Sequence, residues 1–341
     1  MTSILSTIHI GNLLSSLLST KTSRSPSGSK TTPSLAFPFF DEFKSSFSSR
    51  DVHNVTVVAG SPLSGKSRLI SHICALTVLP AGGLVVVIDL DGRFVEVVND
   101  TIELHRALTF KDVDDDSIEK GDDRLAAGVL ILRPDEEDGA SALISCLLRL
   151  ATAELFTDLV SIISDTSSNC RLSGKLSSGN ISFDLLTFGD AHHSHAKNLL
   201  DECVLGVYID GMAAPYYDLF SPSPKVMSWN QFSSRTLNCL QRISRVYGDI
   251  PTMVGITLFS PSGTAISPLR MSDKAWPMLV GADAYIFLQR KHSSERHQED
   301  DDNDDEGEST LFDIAVGFIT AGVEKKFTMR LSDARGVRFC D

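Results

Sequence analysis

The chain has 341 residues, 42% of them hydrophobic, with 31 basic residues against 44 acidic ones and a net charge of −13. That is enough apolar material for one large core or two modest ones, and the absence of an unbroken apolar run of about 18 residues excludes a transmembrane helix from the sequence pattern. With an acidic balance, no lysine- and arginine-rich stripe announces the strong independent DNA binding that phosphate neutralisation requires.

In chain order, residues 2–19 carry Ile4, Ile8, Leu13, Leu14, Leu17 and Leu18 between serines, a pattern that predicts a short amphipathic helix. Residues 19–34 are low-complexity Ser/Thr/Pro, the composition of a flexible linker. Residues 1–50 are therefore set apart from a folded region, 51–341. The apolar patch LAFPFFDEF (35–43), between the linker and the folded region, is expected to dock on this domain, with a neighbouring subunit as the alternative. No acid precedes Asp41, and Lys21, Arg24 and Lys30 lie in Ser/Thr-rich sequence, which raises a mitochondrial transit peptide as the alternative to a nuclear address. The nuclear reading is preferred because the basic residues are sparse and absent from the helix. Six cysteines, Cys74, Cys146, Cys170, Cys203, Cys239 and Cys340, without CxxC pairing, suit a reducing compartment.

The stretch VTVVAGSPLSGKSRLI (55–70) is the first with specific chemistry. A buried strand delivers the chain into Gly60, Ser61, Pro62, Leu63, Ser64, Gly65, Lys66 and Ser67, the GxxxxGK(S/T) spacing of a phosphate-binding loop ahead of a helix at about 65–79. Backbone N–H groups and the positive end of the helix dipole form an anion cradle there. The glycines permit the turn and the close approach, Lys66 is placed for β- and γ-phosphates, and Ser67 for a Mg²⁺ shell. ATP with Mg²⁺ is the expected ligand.

Beyond the loop, apolar runs predict strands at 83–92, 126–134, 204–211 and 251–260, and helices at 140–156 and 229–248. Continuous apolar strands alternating with helices predict an α/β fold with a doubly wound, mostly parallel sheet. Residues 157–200, rich in Ser and Gly, read as an insertion. From Ala284 onward, AYIFLQRKH, FDIAVGFIT, KKFTMRL and GVRFC predict a β-rich C-terminal edge, interrupted by an acidic loop near 292–310. That loop and a second acidic block at 112–123 are expected to be solvated.

Three further groups bear on chemistry. Val207, Tyr208 and Ile209 lead into Asp210, an acid at a strand end placed to hold Mg²⁺ through water; the alternative is a strand followed by an Asp-Gly turn. Asp89 and Asp91 end the preceding strand, where a carboxylate either orients an attacking water or starts a helix. DAHHSH supplies Asp190, His192, His193 and His195, but adjacent histidines diverge in regular structure and the segment reads as a surface loop rather than a metal site.

With these residues in place, the chain resembles the RecA-type recombinase superfamily, in particular its paralogues without the usual N-terminal helical domain. GSPLSGKSRL, GGLVVVIDLDGRF and the terminal SDARGVRFCD carry the likeness, from about Val52 to Asp341. The resemblance implies a RecA-like P-loop ATPase core and a subunit of a paralogue complex in homologous-recombination repair. Its expected partner is another RecA-type paralogue; the main strand-exchange recombinase would be assisted indirectly, DNA met through the complex, and no membrane involved. In active members Glu stands at the position of Asp91, so the catalytic role there falls to an acid shorter by one methylene. The strand that ends Thr-Asn-Gln in active members reads Thr257, Leu258, Phe259 here, and neither Leu258 nor Phe259 can replace the amides' hydrogen bonds. The resemblance thus implies ATP binding with weak or no hydrolysis. A DNA-stimulated ATPase, or a P-loop small-molecule kinase, is the alternative.

Overall fold

The computed structural model describes residues 55–81, 83–110, 127–134, 139–164, 171–176, 180–188, 204–212, 214, 227–248, 250–257, 282–290, 309–318, 323–332 and 336–340. All belong to the unit Leu35–Asp341. The N-terminal segment and linker, both acidic blocks and DAHHSH lie outside the described residues, as do Leu258 and Phe259.

The strands are β1 (Val55–Gly60), β2 (Gly83–Asp89), β3 (Ala127–Pro134), β4 (Arg171–Lys175), β5 (Ile181–Phe188), β6 (Val204–Asp210), β7 (Thr252–Thr257), β8 (Ala284–Arg290), β9 (Ser309–Phe318), β10 (Val323–Ser332) and β11 (Gly336–Cys340). The helices are α1 (Lys66–Ala81), α2 (Phe94–Phe110), α3 (Gly139–Ala151), α4 (Glu154–Ser164) and α5 (Trp229–Val246). One sheet runs β11-β10-β9-β8-β1-β7-β6-β2-β3-β5-β4. Its six central strands, β8-β1-β7-β6-β2-β3, pair in parallel. Both flanks, β5-β4 on one side and β9-β10-β11 on the other, are antiparallel. The fold is α/β, with a parallel centre and a β-rich C-terminal flank.

Period-two alternation sorts the central strands onto two covered faces. Val58, Val85, Val87, Val129, Ile131 and Tyr208 meet Leu69, Ile70 and Ile73 of α1 and Phe94, Val98 and Ile102 of α2. Val57, Val86, Ile88, Leu130 and Ile209 face the other way, toward Leu143, Leu147 and Leu150 of α3 and Phe232, Leu240 and Ile243 of α5. Because Tyr208 lies on the α1 face, Asp210 two residues on points to that face as well.

Several elements differ from the sequence expectation. The single helix at 140–156 breaks at Thr152–Ala153, where Ala153 adopts φ 58° and the Ala153 N–H turns back to the Leu150 carbonyl at 3.1 Å. An ion pair between Arg149 and Asp158 ties α3 to α4 across the break. The segment read as an insertion supplies most of α4 and the two strands of the β3 flank, and α2 has no counterpart among the expected helices. The start of α5 is fixed by a capping box: the Ser228 hydroxyl accepts from the Gln231 N–H and the Gln231 side chain accepts from the Ser228 N–H. Among the described residues no helix is long and apolar enough to cross a membrane.

Candidate functional site

The carboxyl ends of β1, β2, β6, β7 and β8 converge on one end of the sheet, where open α/β sheets place their ligands. Gly60 pairs in register with Thr257 on one side and Leu288 on the other, and Asp89 pairs with Asp210. Sequence-distant loops are thereby brought to a single rim.

The loop from Gly60 to Ser67 uses its two glycines for different reasons. Gly65 has φ 78°, left-handed backbone that an L side chain resists. Gly60 is ordinary strand, but a methyl group there would stand 2.3 Å from the Ser64 hydroxyl oxygen and 2.5 Å from the Leu288 carbonyl oxygen. Leu63, also left-handed at φ 58° and 85% exposed, forms the tip with Ser61 and Pro62 at a conformational cost of about 1 kcal/mol. A turn closes beneath it through the Ser64 N–H to the Ser61 carbonyl at 3.2 Å.

Lys66 opens α1 and folds back over the loop. Its Nζ donates to the Ser61 carbonyl at 2.8 Å and to the Ser64 hydroxyl at 3.2 Å. Burial pulls the lysine down to about 8, while the negative charges of Asp210 and Asp91 act to raise it. Ser67, one residue on, lies near the Asp210 carboxylate and acts to lower its pKa. That carboxylate is buried at the end of β6; burial pushes it up to about 7, and the like charges of Asp89 and Asp91 add to the push against Ser67 and Lys66. The site therefore holds a cation and an anion each desolvated toward its neutral form. A phosphate group and a divalent ion would add opposite charge to that which the two groups already lend each other.

The three carboxylates at this rim have separate roles. Asp89 Oδ1 accepts from the N–H groups of Asp91 (3.2 Å) and Gly92 (2.8 Å), and Oδ2 from that of Phe94 (3.0 Å) at the first turn of α2. It is a loop and helix-start anchor. Asp91 is exposed, and its carboxylate lies directly over Gly211, where a methyl group would stand 2.5 Å from its Cγ. Gly211 at φ 72° lets Asp91 approach the end of β6. Asp210 sits below both, with its main-chain carbonyl accepting from the Leu90 N–H at 3.1 Å.

The residue set suits a nucleoside triphosphate with magnesium. Mg²⁺ keeps several waters and needs only one or two protein oxygens besides phosphate, which Ser67 and Asp210 offer, with Lys66 beside them for the phosphates. Among the described residues no group of three or more His, Cys, Asp or Glu side chains forms a self-sufficient metal cage. Ser64, Gly65, Lys66, Ser67, Asp91 and Asp210 lie together at this rim, while Ser61, Pro62 and Leu63 stand at the exposed lip. Leu288 and Phe312, which press on the loop from β8 and β9, carried no sequence signal, because only strand pairing brings them there. No family model matches the chain, and no curated protein matches it.

Proposed function

We propose that the chain is a nucleotide-binding paralogue of the RecA-type recombinases, binding ATP with Mg²⁺ in the Gly60–Ser67 loop and serving as a subunit of a nuclear complex for homologous-recombination repair of DNA double-strand breaks. The observation that carries this reading is the convergence of Lys66 and Ser67 at the start of α1 with Asp210 at the end of β6. The β-rich flank after Ala284, joined to β1 through β8, supports a RecA-like core. The terminal SDARGVRFCD, which resembles the ending of X-ray repair cross-complementing protein 2, supports the paralogue class.

Hydrolysis is weak or absent in this reading. Asp91 stands at the position of the family's Glu but is shorter, and Asp89, the acid an active ATPase would fall back on, has its oxygens committed to three backbone N–H groups. Binding then serves assembly rather than turnover.

The test is capture of the tagged protein from its own cells, with stoichiometric partners identified by mass spectrometry, alongside Mg·ATP binding and turnover with single-stranded DNA. Recovery of another RecA-type paralogue, with binding and slow turnover, is expected. Recovery alone or with metabolic enzymes overturns the repair assignment, and rapid DNA-stimulated turnover replaces the assembly role with an active ATPase.

A further inference from the structure

We infer that Phe312 is a positioning residue for the phosphate loop, the side chain through which the β8–β9 hairpin sets the geometry of Gly65. This rests on the reading of Gly60–Ser67 as a phosphate cradle and adds what holds the cradle in shape.

Phe312 belongs to β9 and is paired in register with Arg290 of β8. It is buried in the same apolar cluster as Leu69, Ile70 and Leu288. Its ring tip lies against the α-carbon of Gly65: a methyl group on that carbon would stand 3.3 Å from Cζ, 3.5 Å from Cε1 and 3.7 Å from Cε2. Gly65 is where the loop turns into α1; its carbonyl accepts the Leu69 N–H at 2.9 Å, and the next residue is Lys66. A second contact from the same hairpin touches the other glycine, the Leu288 carbonyl at Gly60. Both ends of the cradle therefore rest on β8 and β9.

The physical consequence follows from how the loop is built. A glycine at φ 78° has no side chain of its own to lock it, so its conformation is held by what packs on it. Removing the ring leaves a void under Gly65, and the loop gains alternative conformations in which its N–H groups no longer converge. Leucine refills most of that void with apolar volume.

The experiment measures amide hydrogen exchange and Mg·ATP affinity for the full chain as wild type, Phe312→Ala and Phe312→Leu. Faster exchange in Phe312→Ala confined to Ser61–Ser67, with about 10-fold weaker Mg·ATP binding and recovery of both in Phe312→Leu, is expected. Wild-type exchange in the loop of Phe312→Ala overturns the inference, as does an increase spread evenly over β1, β8 and α1, the signature of a plain core residue. Should Phe312→Ala not fold, Phe312→Val is read by the same criteria. If the wild type binds no nucleotide, the cradle reading fails, and the exchange pattern still decides the part played by Phe312.

Discussion

The Ser67 side chain, in the first turn of α1, lies near the buried carboxylate of Asp210 at the end of β6 and acts against the rise of its pKa. Their proximity brings the Gly60–Ser67 loop and the end of β6 to one place, with two oxygens suited to magnesium near one another. Replacing Asp210 with Asn keeps the shape and removes the charge. Asp210→Asn is expected to fold and to lose most of the magnesium dependence of ATP binding, read by titrating Mg²⁺ at fixed labelled ATP. An unaltered magnesium dependence removes Asp210 from the site.

Lys66 folds over the loop, bonded to Ser61 and Ser64. Lys66→Ala forfeits charge-assisted bonds to phosphate worth about 1.5–3 kcal/mol, so labelled ATP should bind at least about 10-fold more weakly. Because burial disfavours the ammonium, the variant should melt no lower than the wild type. Unchanged ATP affinity sinks the loop assignment.

Asp283 pins the start of β1 by accepting the Val55 N–H at 2.7 Å, while its own N–H donates to the Val55 carbonyl at 2.9 Å. Burial pushes this carboxyl up to about 6, against the Val55 hydrogen bond, from 3.8. The folded state therefore keeps a proton that the unfolded chain releases, and this group's contribution to stability falls as pH rises through that window. Asp283→Asn retains an acceptor without the charge. It should match the wild type near pH 4 and melt higher at pH 8; an equal difference at both pH values would refute the assignment.

At the β3 flank, Asp184 of β5 is buried and receives Arg133 of β3, Arg171 of β4 and the Ser173 hydroxyl. Burial alone would raise its carboxyl, but these hydrogen bonds outweigh burial and hold it below the usual range. The contribution is thus present at neutral pH and lost in acid. Asp184→Ala strands two guanidinium groups, one with 27% and the other with 55% of its side chain exposed, so water relieves part of the loss. A destabilisation of about 2 kcal/mol is expected by denaturant titration at pH 7, shrinking as the pH approaches 3. An effect that persists undiminished at pH 3 would show that packing, not charge, holds this edge.

Much of the fold is legible in the sequence, and for a local reason. Loop spacing and apolar runs depend on neighbours along the chain: β3 and β6 lie within one residue of their expected bounds, GVRFC matches β11, and the loop opens a helix as its spacing implies. The fates of the two strand-end acids are less legible. Asp89 and Asp91 look alike in sequence, yet one is enclosed by backbone donors and the other reaches over Gly211.

Local sequence is sufficient for the turn-to-helix loop at Gly60–Ser67, the alternation of strands and helices and the β-rich C-terminal part, because backbone conformation and side-chain period are set over a few residues. Tertiary packing alone brings Asp210 to Ser67, gathers Arg133 and Arg171 on Asp184, and lays Phe312 beneath Gly65. Those contacts depend on strand order and register, which arise from burying every apolar face at once, and no stretch of sequence contains that condition.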